Sequence, residues 1–523
     1  MKKRKIALFV ASVMALTMLS TACGDKKEAS KKLDIDLSSY PIETDVTLSY
    51  FLPLRSSLGG LVENLSETHF AQELEKRTGV KVEYIHAAIG QEAEMLSLLI
   101  ASEELPDMMQ GNWLGHKGGV DSAIDDGVIV DLGEYREYAP AYFGKLEAEP
   151  QLDKAAKTDS GRYSGFSLIQ NSDRMLTTTG PVMRADWLEE LGLEIPTTID
   201  EWEEVLTAFK EKKGAVAPFS ASTRDYMFAM FGVPSGYFIE DGEYKYAKGI
   251  PEAKRAVERL NDWYKKGLLD VNIASVDAAA LDTQILTGKT GAATVTGGDI
   301  GRYMNAAKED GFDLVGIPYP TFEEGGVNNC VPVGLPVTGT CVTAISAQSK
   351  YPELAAKWLD YLYTEEGTIF ANFGTEGVSY EMVDGEPIYT DLITNNPDGL
   401  SMQEALGLYV KAGASGSFDN VEGYINQYYS LPQQKGALDA WQQCFKASFD
   451  RKALPVTLTT KESQEVADLT AEISPYANSM MTKFVIGTEP LDKFDEYLKK
   501  LSDMGVQRVL DIHTEALKRY NAR

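Results

Sequence analysis

Between residues 45 and 109 the chain switches repeatedly between strand-like and helix-like patterns, and this alternation constrains the fold more than any other feature. Residues 45–54 (DVTLSYFLPL) alternate apolar and polar side chains and run into Pro53, the pattern of a strand entering a loop. Residues 67–78 read as a helix and 80–85 (VKVEYI) as a second strand. Met95, Leu96, Leu98, Leu99 and Ile100 make 92–102 a helix, and 105–109 (LPDMM) gives a short third strand. Strand–helix–strand–helix–strand at this spacing is the signature of a doubly wound α/β sheet. Ligands bind such sheets outside the carboxyl ends of the strands. The glycine-rich loop at 111–119 (GNWLGHKGG) follows the third strand and occupies such a position.

A second α/β region opens at residue 180. Trp187, Leu188, Leu191 and Leu193 predict a short helix ended by Gly192, and Pro196 forbids its continuation. Thr198 followed by Glu201 is the capping box of a second helix, in which Trp202, Val205, Leu206 and Phe209 form one buried stripe. Residues 250–267 and 280–287 are helical, and 290–295 (TGAATV) is a strand feeding Thr296-Gly297-Gly298-Asp299. Residues 331–346 are extended but interrupted by glycine and proline. Helices are predicted over 352–366, 463–481 and 491–523. Trp187, Trp202 and Trp358 fall on apolar helix stripes and read as core.

At 523 residues the chain exceeds what one hydrophobic core usually supports, so two domains are expected. The first 22 residues are not part of either. Lys2, Lys3, Arg4 and Lys5 precede an apolar stretch at 6–19, too short for an ordinary spanning helix. The following LSTACG places a small residue before Cys23, the lipoprotein signal, in which Cys23 is lipidated and becomes the first mature residue. Its weak point is Ser20, where leucine is commonest; the alternative is an ordinary secretory leader with an incidental cysteine. Residues 23–40 then read as a lipid-anchored flexible tether. Membrane contact is expected through the anchor only.

The formal charge is −28, and losing the four basic residues of the leader takes the mature chain to −32. Such acidity argues against nucleic acid or anionic lipid as a partner. Beyond Cys23 only Cys330, Cys341 and Cys444 remain, so no disulfide framework is implied. Cys330 and Cys341 flank an apolar segment and have the option of pairing, although buried free thiols are the favoured reading.

Two stretches, KVEYIHAAIGQEAEMLSLLIASEELPDMM and GPVMRADWLEELGLEIPTTIDEWEEVLTAFK, resemble the extracellular solute-binding lipoproteins of bacterial carbohydrate ABC transporters. The resemblance is to the large oligosaccharide-binding branch that includes alginate-binding and LipO-like proteins. It implies a two-lobe α/β fold of the periplasmic-binding-protein type, with a ligand cleft between the lobes and several interlobe crossovers. The implied lobes are 41–165 plus about 336–395, and 166–335 plus about 396–523. An oligosaccharide receptor is implied that delivers its ligand to permease subunits as a monomer, without a cofactor, on the outer face of the cytoplasmic membrane. Many members carry a calcium loop after the second helix; residues 211–218 (EKKGAVAP) lack its carboxylates, so no metal is expected there.

No catalytic constellation assembles. The run 413–417 ends in serine where a nucleophile elbow needs glycine, Gly288-Lys289-Thr290 lacks the earlier glycine of a phosphate-binding loop, and the four histidines are widely spaced. Two suitably separated carboxylates would suffice for a glycosidase, so a lipid-anchored hydrolase is the enzymatic alternative. A same-fold receptor for a peptide or an anionic uronate oligomer is the other, and clustered cleft Arg and Lys would favour the anionic form. Sugar recognition needs aromatic rings against pyranose C–H faces and polar side chains for hydroxyls. Candidates near strand ends are Asn112 and Trp113; Tyr50, Phe51 and Arg55; and Asp299 and Arg302. Glu376 and Tyr380 follow a glycine turn like one the resemblance implies, and Tyr163 and Phe166 lie at the expected lobe crossing.

Overall fold

Among the described residues, ten strands build the two larger sheets. In chain order, β1 (Thr47–Phe51), β2 (Lys81–Ile85), β3 (Met108–Gly111) and β4 (Phe166–Gln170) come first. They are followed by β5 (Thr179–Arg184), β6 (Phe219–Ser220), β7 (Ala292–Thr296) and β8 (Leu314–Gly316), and then by β9 (Val337–Ile345) and β10 (Asp419–Asn420). The order β10-β4-β9-β3-β1-β2 forms a six-stranded sheet, and β8-β5-β7-β6 a four-stranded one. In the first sheet β9 runs antiparallel to its neighbours β3 and β4, while β1 pairs in parallel with β2 and β3. In the second, β5 is antiparallel to β7 and β8, and β6 is parallel to β7.

This computed structural model describes residues 35–170, 172–411 and 416–523, with the side chains at 56, 338, 340 and 341 not described. Residues 36–523 form one compact unit. The leader, Cys23 and residues 24–34 of the tether lie outside the described residues.

The α/β architecture expected from the sequence is observed. The chain passes between the sheets from β4 to β5, from β8 to β9, and after β10, where the helix Pro432–Gln442 packs on β5 and β8. The first sheet is covered on both faces. Tyr50 and Phe51 are neighbours on opposite faces of β1, yet they are only 2% and 0% exposed. Phe51 joins Met109, Trp113, Val120, Ile129 and Val342 in one cluster.

Local signals explain the helices. Thr198 Oγ1 accepts from Glu201 N at 3.2 Å and Glu201 Oε2 accepts from Thr198 N at 3.0 Å, closing the capping box of Ile199–Lys213. Gly192 ends the preceding helix at φ 66°. Three expectations are corrected. The strand predicted at 105–109 starts only at Met108, because Asp107 Oδ2 accepts from the Ser49 amide and hydroxyl at 2.8 and 2.7 Å. The helix predicted over 352–366 ends at Asp360; a new one, Glu365–Phe373, is capped by Thr364, whose Oγ1 accepts from Gly367 N at 3.0 Å. The stretch 491–523 holds two helices, Phe494–Asp503 and Val506–Ala522, parted at Gly505, whose φ of 90° no continuous helix tolerates.

β4 and β10, which the expected division assigns to the second lobe, belong to the six-stranded sheet. Cys330 and Cys444 are buried free thiols, so Cys330 does not pair with Cys341.

Candidate functional site

Each sheet presents the carboxyl ends of its parallel strands at one edge. On the first sheet that edge carries Pro53 and Arg55 after β1, Gln110–Asn112 at the end of β3, and the helix Glu422–Tyr428 after β10. On the second it carries Thr296 at the end of β7 and the helix Gly297–Ala306. The two edges meet at tyrosines. A methyl group on Gly297 would lie 2.8 Å from the Tyr429 ring, and one on Gly298 2.8 Å from the Tyr428 hydroxyl. Only glycine allows this approach.

Tyr424 and Tyr428, four residues apart, share a helix face and stack with centroids 5.6 Å apart and planes at 13°. Tyr424 is buried and Tyr428 half-buried. Burial raises the Tyr428 phenol pKa and Asp299 reinforces the rise, whereas Arg55 and Arg302 oppose it. This ring therefore feels charged groups of both sheets.

Arg55 donates through Nη2 to the Lys411 carbonyl oxygen. Burial pulls its guanidinium down to about 10 against the opposing influence of Tyr424, Tyr428 and Tyr389. The Lys411 side chain is 9% exposed, and burial, with Arg55 beside it, pushes its ammonium down to about 7. No carboxylate among the described residues forms an ion pair with Lys411. A methyl at Gly416 would sit 2.7 Å from Lys411 Nζ and 3.4 Å from Gln110 Oε1, so these two polar ends flank the same glycine. Gln110 is 5% exposed, and its Oε1 has no hydrogen-bond partner among the described residues.

A buried hydroxyl cluster holds this arrangement from below. Tyr50 OH lies 2.6 Å from Thr343 Oγ1, which is 2.7 Å from Ser417 Oγ; Ser417 Oγ also lies 2.6 Å from Phe166 O and accepts from Thr343 N at 3.0 Å. Tyr50, Arg55 and Lys411 line an internal cavity of about 40 Å³ together with Tyr84 and Trp358. A separate, larger groove of about 670 Å³, which shares Pro53 with the cavity, is lined by Leu96, Gln110, Asn112, Trp113 and His116.

The bacterial extracellular solute-binding protein profile matches residues 65–369, more than half of the chain. The chain belongs to this family. The fructooligosaccharide ABC transporter substrate-binding protein FusA of Streptococcus pneumoniae is 23% identical over 99% of both chains. Lipoprotein LipO of Bacillus subtilis is 25% identical over 64% of this chain and 68% of its own length. The fold matches that of the alginate-binding protein AlgQ2, solved without calcium ion, with a TM-score of 0.75 and 23% identity. That match covers 90% of this chain and 98% of AlgQ2.

Within this solute-binding fold the sequence-predicted residues divide. Tyr50, Arg55, Asn112 and Trp113 line the cavity and groove at the first edge. Trp113 is 1% exposed and its ring packs in the core, but its indole N–H has no partner among the described residues. Asn112 is exposed, and its Oδ1 accepts from Gly115 N at 3.1 Å. At the second edge Asp299 Oδ2 caps its helix through Thr296 N at 2.9 Å, and Arg302 holds both oxygens of Asp282 as well as Asp299.

The remaining five line neither the cavity nor the groove. Phe51 and Phe166 are fully buried; Phe166 packs against Tyr142 and Tyr363. Tyr163 is buried and donates to Asp153 Oδ1 at 2.5 Å. Tyr380 is buried against Phe373, and its phenol is raised by burial, with Glu376 and Glu366 adding to the effect. Glu376 is exposed in the turn that bridges to Tyr380.

Sequence reasoning missed Gln110, Lys411, Tyr424 and Tyr428. The run EGYINQYYS at 422–430 carried a signal, since two tyrosines at helical spacing plus a third make an aromatic face on a short polar helix.

Proposed function

We propose that the chain is a lipid-tethered receptor that captures an oligosaccharide between the two sheet edges and delivers it to an ABC permease. The observation that carries this reading is Tyr428, a half-buried ring stacked on Tyr424 and placed between Arg55 of one edge and Asp299 and Arg302 of the other. A tyrosine pair offers an apolar face for pyranose C–H groups, while the surrounding Arg, Asp, Asn and Gln side chains satisfy hydroxyls. FusA, named for fructooligosaccharides, supports a saccharide as the ligand class.

Each sheet with its covering helices forms one lobe, and the three chain crossings form the hinge. A ligand touching both edges binds the closed arrangement better than the open one and shifts the population toward it. Closure then presents the complex to the permease. Cys23 carries the lipid anchor on the outer face of the membrane. The receptor performs no covalent chemistry.

The test is a thermal-shift screen of residues 36–523 against neutral and acidic oligosaccharides, with chromatography of the ligand afterwards. Ligand at about 100 times its Kd adds about 2.7 kcal/mol to stability, a rise of about 3 °C for a chain of this size. A shift with one glycan class and no cleavage supports the receptor. Cleavage of the glycan, or no shift with any saccharide, overturns it.

A further inference from the structure

The protein is strongly acidic, with 78 Asp and Glu against 50 Lys and Arg. Among the described residues Arg184 and Lys411 are the buried cations; Arg184 pairs with Asp186 and Glu309, whereas Lys411 has no carboxylate. Its side chain is more than nine-tenths buried, it neighbours the guanidinium of Arg55, and no carboxylate among the described residues forms an ion pair with it. The adjoining residues 412–415 read AGAS in sequence and add no acidic group. Burying an ammonium beside a second cation costs free energy that neighbouring packing does not return. The arrangement makes sense when an anion arrives from outside.

We infer that Lys411 Nζ, flanked by Arg55 and Gln110, is the subsite for a carboxylate of the ligand, so that the captured oligosaccharide is built from uronic acids. The inference rests on the receptor reading above and narrows it. Three neighbouring groups fit this chemistry. Gln110 Oε1, which borders the space beside Gly416 together with Lys411 Nζ, is buried without a donor among the described residues and takes a hydroxyl of the same sugar. The Trp113 indole N–H is buried without an acceptor among the described residues; Trp113 lines the same groove as Gln110, and its N–H donates to a sugar oxygen. Tyr424 and Tyr428 supply an apolar face beside Arg55. The cavity at Lys411, about 40 Å³, has room for one small polar group and not for a sugar ring. The carboxylate enters it while the rings stay outside.

The experiment is isothermal titration calorimetry on residues 36–523, a compact unit by themselves. The probes are tri- and tetrasaccharides of galacturonate, mannuronate and guluronate, each with its carboxyl-reduced counterpart, and neutral fructooligosaccharides. At least one acidic probe is expected to bind about 10–100-fold more tightly than its reduced form, the worth of one charge-assisted contact. Lys411→Met removes that preference by weakening the acid alone, whereas Lys411→Arg keeps most of it. Melting curves of both variants verify that they are folded. Binding of neutral probes only, or of an acidic probe to Lys411→Met as tightly as to the wild type, overturns the inference and leaves the receptor reading standing. No binding of any probe overturns both.

Discussion

Lys411 offers a test that needs no ligand. Its ammonium is displaced from 10.5 to about 7 by burial and by Arg55. At 1.36 kcal/mol per pH unit, holding it charged in the folded protein costs about 5 kcal/mol relative to the unfolded chain. The sign follows from proton binding. Between pH 7 and 10.5 the unfolded chain binds more protons at this residue than the folded one, so the penalty is full below pH 7 and fades as pH rises toward 10.5. Lys411→Met removes the charge at similar volume. It is therefore expected to stabilise the protein by up to about 5 kcal/mol at pH 6, less any packing loss, and by only about 1–2 kcal/mol at pH 9.5. A chain of this size unfolds with an entropy of about 1 kcal/mol/K, so the gain in Tm is about 5 °C at pH 6 and about 1–2 °C at pH 9.5. Arg55, the one charged side chain among the described residues that acts on Lys411, is itself displaced only to about 10 and stays charged over most of this window. Calorimetric scans of wild type and variant across that range decide the matter. A gain independent of pH, or a loss at pH 6, refutes the buried unpaired charge.

Other consequences follow from the same geometry. Binding of a uronate oligosaccharide is expected to be flat below pH 7 and to weaken by up to tenfold per pH unit above it, because the free ammonium must regain its proton; calorimetry in buffers of different ionisation enthalpy reads close to one proton taken up at pH 8. Tyr428→Ala is expected to cut oligosaccharide affinity about 10–100-fold with little change in Tm, as its ring is half-buried, and Tyr428→Phe to retain most of the affinity. Gly180→Ala drives a methyl to within 2.4 Å of the Trp441 indole and is expected to cost about 1–3 kcal/mol in urea unfolding, with no effect if the helix Pro432–Gln442 simply shifts outward. Thr198→Ala breaks the capping box and is expected to cost about 1 kcal/mol by the same assay.

What the sequence disclosed was local. Gly192, Thr198 and Glu201 announce a helix end and a helix start through backbone chemistry that acts within four residues, and the structure repeats them. Gly505 was overlooked because apolar residues keep helical spacing on both sides of it, at Tyr497 and Leu501 and again at Val509 and Ile512. Strand ends were harder. Alternation separates a buried face from a wet one only when a sheet is wet on one side, and this sheet is covered on both. Tyr50, Phe51 and Phe166 therefore looked available and are all buried. Lys411 carried no local sign, since what sets it apart is Arg55, 356 residues earlier, and the enclosure around it.

The helix Glu422–Tyr428 ties these observations to motion. It follows the last strand of the first sheet, and its Tyr428 hydroxyl lies 2.8 Å from where a Cβ on Gly298, beside the second, would sit. If the sheets separate as rigid bodies, Tyr428 cannot keep both neighbours; it stays with Arg55 or with Gly298. The stack on Tyr424, whose ring is buried beside Arg55, holds it to the first sheet. Opening would then expose Gly297 and Gly298, at each of which a side chain would strike a tyrosine ring or hydroxyl. A ligand seated on Tyr428 and reaching Lys411 would gain its remaining contacts, from Asp299 and Arg302, only once the second sheet returns. On that ordering the first sheet would be the docking half and the second the half that closes.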